Sequence, residues 1–120
     1  MIEDYVVDGA ATAPSEFPWG RLIWLVNQER AADAEMTVGI CEIEPGASNP
    51  EHFHPNCEEV LFVLEGECEH TLGDEVVRLT PGMMIRCPAH LPHHAVNTGS
   101  VPLRALICYS SPDRRTEHVD

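Results

Sequence analysis

Basic residues are scarce in this sequence. Lysine and arginine together number 7 against 20 aspartates and glutamates, which gives a formal charge of −13 at pH 7. The phosphates of nucleic acids and the headgroups of anionic membranes repel an acidic protein. We therefore expect neither a nucleic acid nor a membrane as a partner. An anionic small molecule is not excluded, because a bound metal can invert the local field.

Long apolar segments, internal repeats and paired cysteines are also lacking. The first residues, MIEDYVVDGA, carry acidic groups early and match neither a signal peptide nor a transmembrane helix. The five cysteines show no C-x-x-C spacing, so they predict neither a zinc knuckle nor a disulfide framework. We expect a cytoplasmic protein with reduced thiols that act mostly as small core residues.

The length of 120 residues and the hydrophobic content of 43% suit one domain with its own core. Short apolar segments lie between turn residues, among 10 prolines and 8 glycines. Such spacing is typical of an antiparallel β-sandwich or β-barrel. The segments with strand length are 21–26, 36–44, 59–65, 67–72, 75–79, 83–87, 93–97 and 103–109.

The turn residues support an all-β fold. The segments EPGA and TPGM place Pro before Gly, as type II turns require, and LGDE predicts a two-residue hairpin loop at Gly73 and Asp74. That hairpin would place Glu69 opposite Arg78 as a cross-strand ion pair. The Ala-rich and Glu-rich segment 27–35 predicts a single helical turn or a loop.

The run from Val60 to Leu64 is apolar at every position. A half-buried strand would alternate, so the run predicts a strand covered on both faces. One face would line the barrel. The other would pack on a second sheet, an N-terminal strand or a partner subunit.

Two histidines precede this strand in the segment HFHPNCEEVLFVLEG. Residues two apart in a strand point to the same side, so His52 and His54 would present two imidazoles to one face, with Phe53 turned away. A carboxylate at the start of the next strand can fold back to meet them. Imidazole and carboxylate ligands together suit first-row divalent metals.

Spacing adds two longer motifs. The first contains Gly46, then His52 and His54, then Glu59, and it closes at Gly66. The second runs GMMIRCPAHLPHHAVN, from Gly82 through Pro88 and His93 to Asn97.

These two motifs resemble those of the small single-domain cupins. In that family the first motif is G, five residues, H-x-H, three or four residues, E, six residues, G. The second is G, five residues, P-x-G, two residues, H, three residues, N. The first is matched at every fixed position and the second at all but one. The resemblance implies an antiparallel jelly-roll β-barrel, the double-stranded β-helix of the cupin type.

The resemblance also implies the metal ligands His52, His54, Glu59 and His93. Glu58 is a rival for the carboxylate, but the family pattern places the ligand six residues before the closing glycine, which selects Glu59. Strand parity is consistent with this choice, because Glu59 then shares a face with apolar residues of the run. By the same parity, His94 turns away from the site.

The one departure is His90, which stands where the family has glycine. A glycine there implies a tight turn, with a positive φ that histidine tolerates better than most residues. His90 is either a turn variant or an extra imidazole at the barrel mouth, and it is the one candidate for substrate binding. Cys57 is either a small loop residue or a soft extra ligand. Trp19 and Trp24 are expected to pack, although a tryptophan at a barrel end can line a pocket.

Three imidazoles and one carboxylate leave open positions on one divalent transition metal, for which Fe, Mn, Ni, Zn, Co and Cu are all suitable. The resemblance implies a metal-dependent enzyme acting on a small oxygen-rich metabolite, as a dioxygenase, a lyase or decarboxylase, or an isomerase. The alternative is a non-catalytic module that binds or senses a small ligand. No catalytic residue is assigned, and the candidates for a base are His90, Glu58 and Tyr109.

The chain divides within a single domain. Residues 1–35 contain N-terminal strands and a connecting segment, residues 36–112 contain the cupin barrel with both motifs, and residues 113–120 form a polar tail that we expect to be mobile. The apolar segments at 21–26 and 60–64 predict an oligomer, and the resemblance implies a homodimer.

Overall fold

Strands form where branched and aromatic residues alternate between turn residues. The structure is a computed structural model and describes residues 1–119. Its strands are β1 (Ser15–Phe17), β2 (Gly20–Val26), β3 (Thr37–Ile43), β4 (His52–Phe53), β5 (Glu59–Glu65), β6 (Cys68–Leu72), β7 (Glu75–Leu79), β8 (Met84–Cys87), β9 (His93–Val96), β10 (Leu103–Tyr109) and β11 (Glu117–His118). Two 3₁₀ turns, Ile2–Tyr5 and Gly9–Ala11, precede them.

The strands form two antiparallel sheets. Sheet A has the order β1-β2-β3-β10-β5-β8, and sheet B has the order β11-β4-β9-β6-β7. Their inner faces enclose one apolar core, in which Ile43, Val63 and Leu103 are almost fully buried. This is the predicted jelly-roll barrel. The segment 27–35 forms turns and not a regular helix. No helix in residues 1–119 is long and apolar enough to cross a membrane.

The predicted turns are present. The amides of Ala47 and Met83 donate to the carbonyls three residues earlier, and Gly46 and Gly82 take φ values of 79° and 90°. Such positive φ values lie in the left-handed region, which glycine adopts without steric strain. This explains why Gly follows Pro at both turns.

The β6–β7 hairpin also has the predicted register, with Leu72 opposite Glu75 and Glu69 opposite Arg78. The predicted ion pair was wrong in one partner, because the Arg78 guanidinium contacts the carboxylate of Glu67. An exposed arginine side chain is long enough to reach past its cross-strand neighbour.

Strand β5 alternates between buried and exposed residues in the single chain, and of the three covers predicted for its outer face only a partner subunit is left untested. Leu61 and Val63 point into the core, whereas Phe62 and Leu64 are each 37% exposed. Met84 lies opposite Phe62 on β8 and is 48% exposed. Neither the second sheet nor the N-terminal segment covers this outer face in a single chain.

The C-terminal segment corrects a second expectation. The Asn56 amide nitrogen donates to the carbonyl of Asp113, and the Asn56 side-chain oxygen accepts from the amide of Arg115. Strand β11 then pairs with β4. The polar tail is therefore attached to the barrel through its backbone, which a polar composition does not reveal.

Candidate metal centre

Four side chains converge between the two sheets. His52 and His93 lie directly opposite each other on β4 and β9, His54 follows the end of β4, and Glu59 begins β5 in the other sheet. All four residues are buried, and one potential ligand atom from each lies within 4.8 Å of the others. The structure thus brings together the four residues that the motifs predicted.

Backbone carbonyls fix the orientation of the three imidazoles. The Nδ1 atoms of His52, His54 and His93 lie 2.7, 2.8 and 3.0 Å from the carbonyl oxygens of Pro50, Arg115 and Leu91 respectively. A carbonyl oxygen only accepts, so each Nδ1 must donate its proton. This anchoring leaves Nε2 of each ring facing the cluster as the atom that a metal would bind. This is the usual support of a metal-binding histidine.

Glu59 supplies the negative charge of the centre. Its Oε1 lies 3.1 Å from Nε2 of His54 and 3.0 Å from Nε2 of His93. Burial alone would raise the pKa of Glu59, but the hydrogen bonds from these two rings outweigh it and lower that pKa below its usual range. A buried carboxylate needs a nearby positive charge, which either shared protons or a bound cation can supply.

The imidazoles differ in their readiness to bind a cation. Burial lowers the pKa of His52 to about 4, so this ring is neutral at pH 7 with a free lone pair on Nε2. Burial acts in the same direction on His93, but the hydrogen bond to Glu59 outweighs it and raises the pKa. A divalent cation would displace that shared proton and take its place beside Glu59. The donor set and its anchoring therefore fit a divalent transition metal.

The rival residues lie outside the cluster. The Glu58 side chain is 42% exposed and its carboxylate accepts from Nε of Arg86 at 2.7 Å. His94 turns away towards Glu51, with its Nδ1 3.9 Å from a carboxylate oxygen. Cys57 is 4% exposed within the core, where burial raises its pKa and keeps the thiol protonated. All five cysteines are free.

His90 is a turn residue in this structure. Its φ is 69°, the one positive value among the non-glycine residues described, and its amide donates to the carbonyl of His54 at 3.0 Å. The side chain is exposed and does not line the cavity beside the cluster. The structure therefore lends no support to His90 as a substrate contact.

A cavity of about 440 Å³ opens beside the cluster and is reached by His52, Glu59 and His93. Leu22, Leu61 and Ile107 contribute apolar walls, and this volume suits a small organic ligand. Trp19 lines the cavity and stacks on Phe17 at a ring distance of 4.9 Å. Further residues of the lining are Asn49, Pro50, His70, Tyr109, Arg114, Thr116 and His118.

Two cavity residues bear on proton transfer. Burial raises the pKa of Tyr109 well above its ordinary value, so it remains a neutral phenol and is a poor candidate for a base. His70, which the sequence analysis missed, is 2% exposed and stacks on His93 at 5.9 Å. Burial lowers the pKa of His70 to about 4. The sequence held one signal for this position: His70 follows Cys68 by two residues in a predicted strand, so the two side chains share the inward face.

Comparison with known proteins agrees with this architecture. Residues 39–109 match the family profile described as "Cupin domain". The tetracenomycin polyketide synthase protein TcmJ of Streptomyces glaucescens is 29% identical over 113 residues, covering 92% of this chain and 76% of TcmJ.

Solved structures with the same fold include an oxalate decarboxylase of Lactobacillus farciminis, with a TM-score of 0.84 and 21% identity over 92% of this chain and 34% of that one. A double-stranded β-helix protein of Klebsiella pneumoniae has a TM-score of 0.80 and 16% identity, with 96% of each chain covered. At these identities the structures establish the fold alone. The profile match, the fold and the converging ligand set together show that this chain belongs to the cupin domain family.

Proposed function

We propose that the protein is a metal-dependent cupin enzyme that acts on a small oxygen-rich metabolite. One divalent transition metal, drawn from Fe, Mn, Ni, Zn, Co and Cu, would be held by His52, His54, Glu59 and His93. The observation that carries the proposal is the anchoring of the three imidazoles. Every Nδ1 is bonded to a backbone carbonyl, so every Nε2 faces the same point beside Glu59.

The cavity supports a small substrate with several oxygens. Its walls are largely apolar, and its polar end is the ligand cluster, where a hydroxy-ketone, enediol or carboxylate could chelate. CurC of Streptomyces cyaneus is 28% identical to this chain over 117 residues. Both TcmJ and CurC are named as polyketide synthase proteins. Polyketides are carbon chains rich in carbonyl and hydroxyl oxygens, which fits this chemistry.

When bound, the metal would supply Lewis-acid polarisation of a substrate oxygen or a redox-active centre for dioxygen chemistry. The residues of the chain itself orient the ligand atoms, and burial keeps Tyr109 and His70 neutral at pH 7 by shifting their pKa values. Dioxygenase, lyase or decarboxylase, and isomerase reactions are all compatible with this arrangement. A non-catalytic binding or sensing module is the alternative.

The first experiment measures bound metal in purified protein. We expect one divalent metal per chain in the wild type and almost none in His52→Ala/His54→Ala. The matched control is His90→Gly/His94→Ala, which also removes two histidines but leaves the cluster intact. Equal metal content in both double variants would contradict the proposal.

The second experiment separates the reaction classes. Candidate hydroxy-ketones, enediols and keto acids are incubated with metal-loaded protein in air and under nitrogen. Turnover in air alone indicates dioxygenase chemistry, and turnover in both indicates lyase or isomerase chemistry. Tight, metal-dependent retention of a ligand without turnover would favour the binding module.

We further propose a homodimer that forms through the outer face of β5 and β8. Phe62, Leu64 and Met84 are exposed there on neighbouring strands. Sedimentation should show a dimer for the wild type and a monomer for Phe62→Glu, and a monomeric wild type would contradict the proposal. A cytoplasmic location, and the absence of nucleic-acid and membrane partners, remain predictions based on charge and cysteine content.

A further inference from the structure

Arg114 differs from most other arginines of the chain in its surroundings. Five of the seven arginines pair with carboxylates: Arg21, Arg78, Arg86, Arg104 and Arg115. Among residues 1–119, Arg114 has no carboxylate partner, although acidic residues outnumber basic ones almost threefold in this sequence. Its Nε is buried and has no hydrogen-bond partner.

Two aromatic rings hold the Arg114 side chain. Its Cζ lies 4.6 Å from the ring centroid of Trp24 and 5.2 Å from that of Tyr109. Stacking on aromatic faces leaves the in-plane N–H groups of a guanidinium free to bind an anion. The backbone on both sides of Arg114 is fixed as well, because Asn56 bonds to both Asp113 and Arg115. The guanidinium is therefore preorganised.

The position of Arg114 links it to the metal centre. Its side chain lines the same cavity as His52, Glu59 and His93. The ring of Tyr109 lies close to both groups, 5.2 Å from the Arg114 Cζ and 5.0 Å from the ring centroid of His54. A small molecule that binds the metal at one end can thus reach the guanidinium with its other end.

We propose that Arg114 binds a carboxylate of the substrate. The substrate is accordingly a carboxylic acid that carries a metal-chelating oxygen group several bonds from that carboxylate. This inference rests on the proposed function, since it places the second end of the substrate on the metal. A partly buried guanidinium without a carboxylate partner gains charge-assisted, bidentate hydrogen bonds from such a ligand. The anion in turn meets a positive group in a protein that otherwise repels it.

The test uses hydroxamic acids, which chelate divalent metals in general. The probes are the monohydroxamates of succinic, glutaric and adipic acid. Each is compared with the fatty-acid hydroxamate of equal length, in which methyl replaces the distal carboxylate. Dissociation constants are measured by calorimetry on the full-length protein loaded with one metal per chain. We expect at least one of these acids to bind with a dissociation constant lower by a factor of about ten or more than that of its methyl counterpart.

Variants then assign that preference to one side chain. In Arg114→Met the preference for the acid should fall at least about fivefold, while the affinity for the methyl counterpart changes less than about threefold. Arg114→Gln, which retains polarity without charge, should give the same result if the Met variant folds poorly. Arg78→Gln is the matched control and should keep the full preference, because Arg78 is exposed and paired with Glu67.

The outcomes distinguish this inference from the proposed function. A preference below about tenfold at every length, or one that persists without the Arg114 charge, overturns the role of Arg114. An equal loss of both probe types in the Arg114 variants shows a structural role and overturns it as well. Failure of every hydroxamate to bind in a metal-dependent manner overturns the proposed function, because it leaves no open position on the metal for a substrate.

Discussion

The inner faces of the two sheets carry different chemistry. Sheet A contributes an almost wholly apolar wall, including Leu61, Val63 and Ile107, with Glu59 as its buried anion. Sheet B contributes three buried imidazoles on neighbouring strands, those of His52, His70 and His93. One sheet therefore supplies most of the hydrophobic stabilisation, and the other supplies most of the ligand atoms.

This difference shows how a small barrel can contain a polar site without losing its core. Burial of apolar side chains stabilises the fold, whereas burial of imidazoles costs free energy unless each finds a hydrogen-bond partner. His52, His54 and His93 obtain theirs from backbone carbonyls, whereas Nδ1 of His70 is buried without a partner. The account predicts that changes in the two sheets have separable effects.

The largest effect should come from the carboxylate of the cluster. Glu59→Gln retains the shape of the side chain but removes the charge that a cation requires. We expect the affinity for a divalent metal to fall more than about 100-fold, since loss of a direct ligand exceeds the cost of losing a supporting contact. Competition with a chromogenic chelator measures this. The neighbouring Glu58→Gln is the control and should change affinity less than about threefold.

The apolar wall should show the opposite behaviour. Leu61→Ala removes a side chain that is 4% exposed, and we expect a loss of about 2–5 kcal/mol in the free energy of unfolding. Urea denaturation measures it. Val76→Ala, at a position 60% exposed on β7, should cost under about 0.5 kcal/mol. Metal stoichiometry should stay unchanged in both variants, and a Leu61→Ala protein that folds normally but loses its metal would remove the distinction between the sheets.

The imidazoles of sheet B should make the metal-free protein sensitive to acid. Burial lowers the pKa values of His52 and His70 to about 4, against about 6.5 in an unfolded chain. The unfolded state therefore binds more protons below pH 6.5, so stability is retained above that pH and declines as the pH falls towards 4. Each ring contributes up to about 3 kcal/mol to this decline, and the raised pKa of His93 opposes it.

His70→Leu tests that interpretation without removing a ligand. Urea denaturation of chelator-treated wild type and variant at several pH values between 7.5 and 4.5 should give a shallower decline for the variant. Parallel curves would mean that His70 does not titrate on unfolding.

The smallest effect should come from the surface of sheet B. Arg78 contacts Glu67, although Glu69 is its cross-strand neighbour. Glu67→Gln should lower the free energy of unfolding by about 0.2–1 kcal/mol, and Glu69→Gln by less, because exposed ion pairs contribute little. A larger loss of unfolding free energy for Glu69→Gln than for Glu67→Gln would mean that Arg78 pairs with Glu69, as the hairpin register alone predicted.

Local sequence pattern was sufficient for much of the fold and for the ligand set. Strands 59–65, 75–79 and 103–109 begin and end where the apolar segments predicted. The four ligands were implied by the resemblance of two motifs to those of the cupins, and the family pattern selected Glu59 over Glu58. Strand parity was consistent with that choice, because neighbouring residues of a strand face opposite sides.

Long-range contacts lay beyond that reasoning. The carbonyl of Arg115 accepts from Nδ1 of His54 across most of the barrel sequence, and no local pattern in the polar C-terminal segment indicates it. Arg114 reaches the cavity through the same segment. Parity placed Phe62 on the outer face, but its exposure in a single chain was not predicted, since an apolar residue on a strand does not report which neighbour covers it.

The most direct test is a crystal structure of metal-loaded protein with anomalous data collected at the absorption edge of the bound metal. The account predicts one anomalous peak per chain, at about 2.0–2.2 Å from the Nε2 atoms of His52, His54 and His93 and from a carboxylate oxygen of Glu59. A peak at any other place, or a fully loaded protein in which Glu59 still bonds directly to His54 and His93, would contradict it.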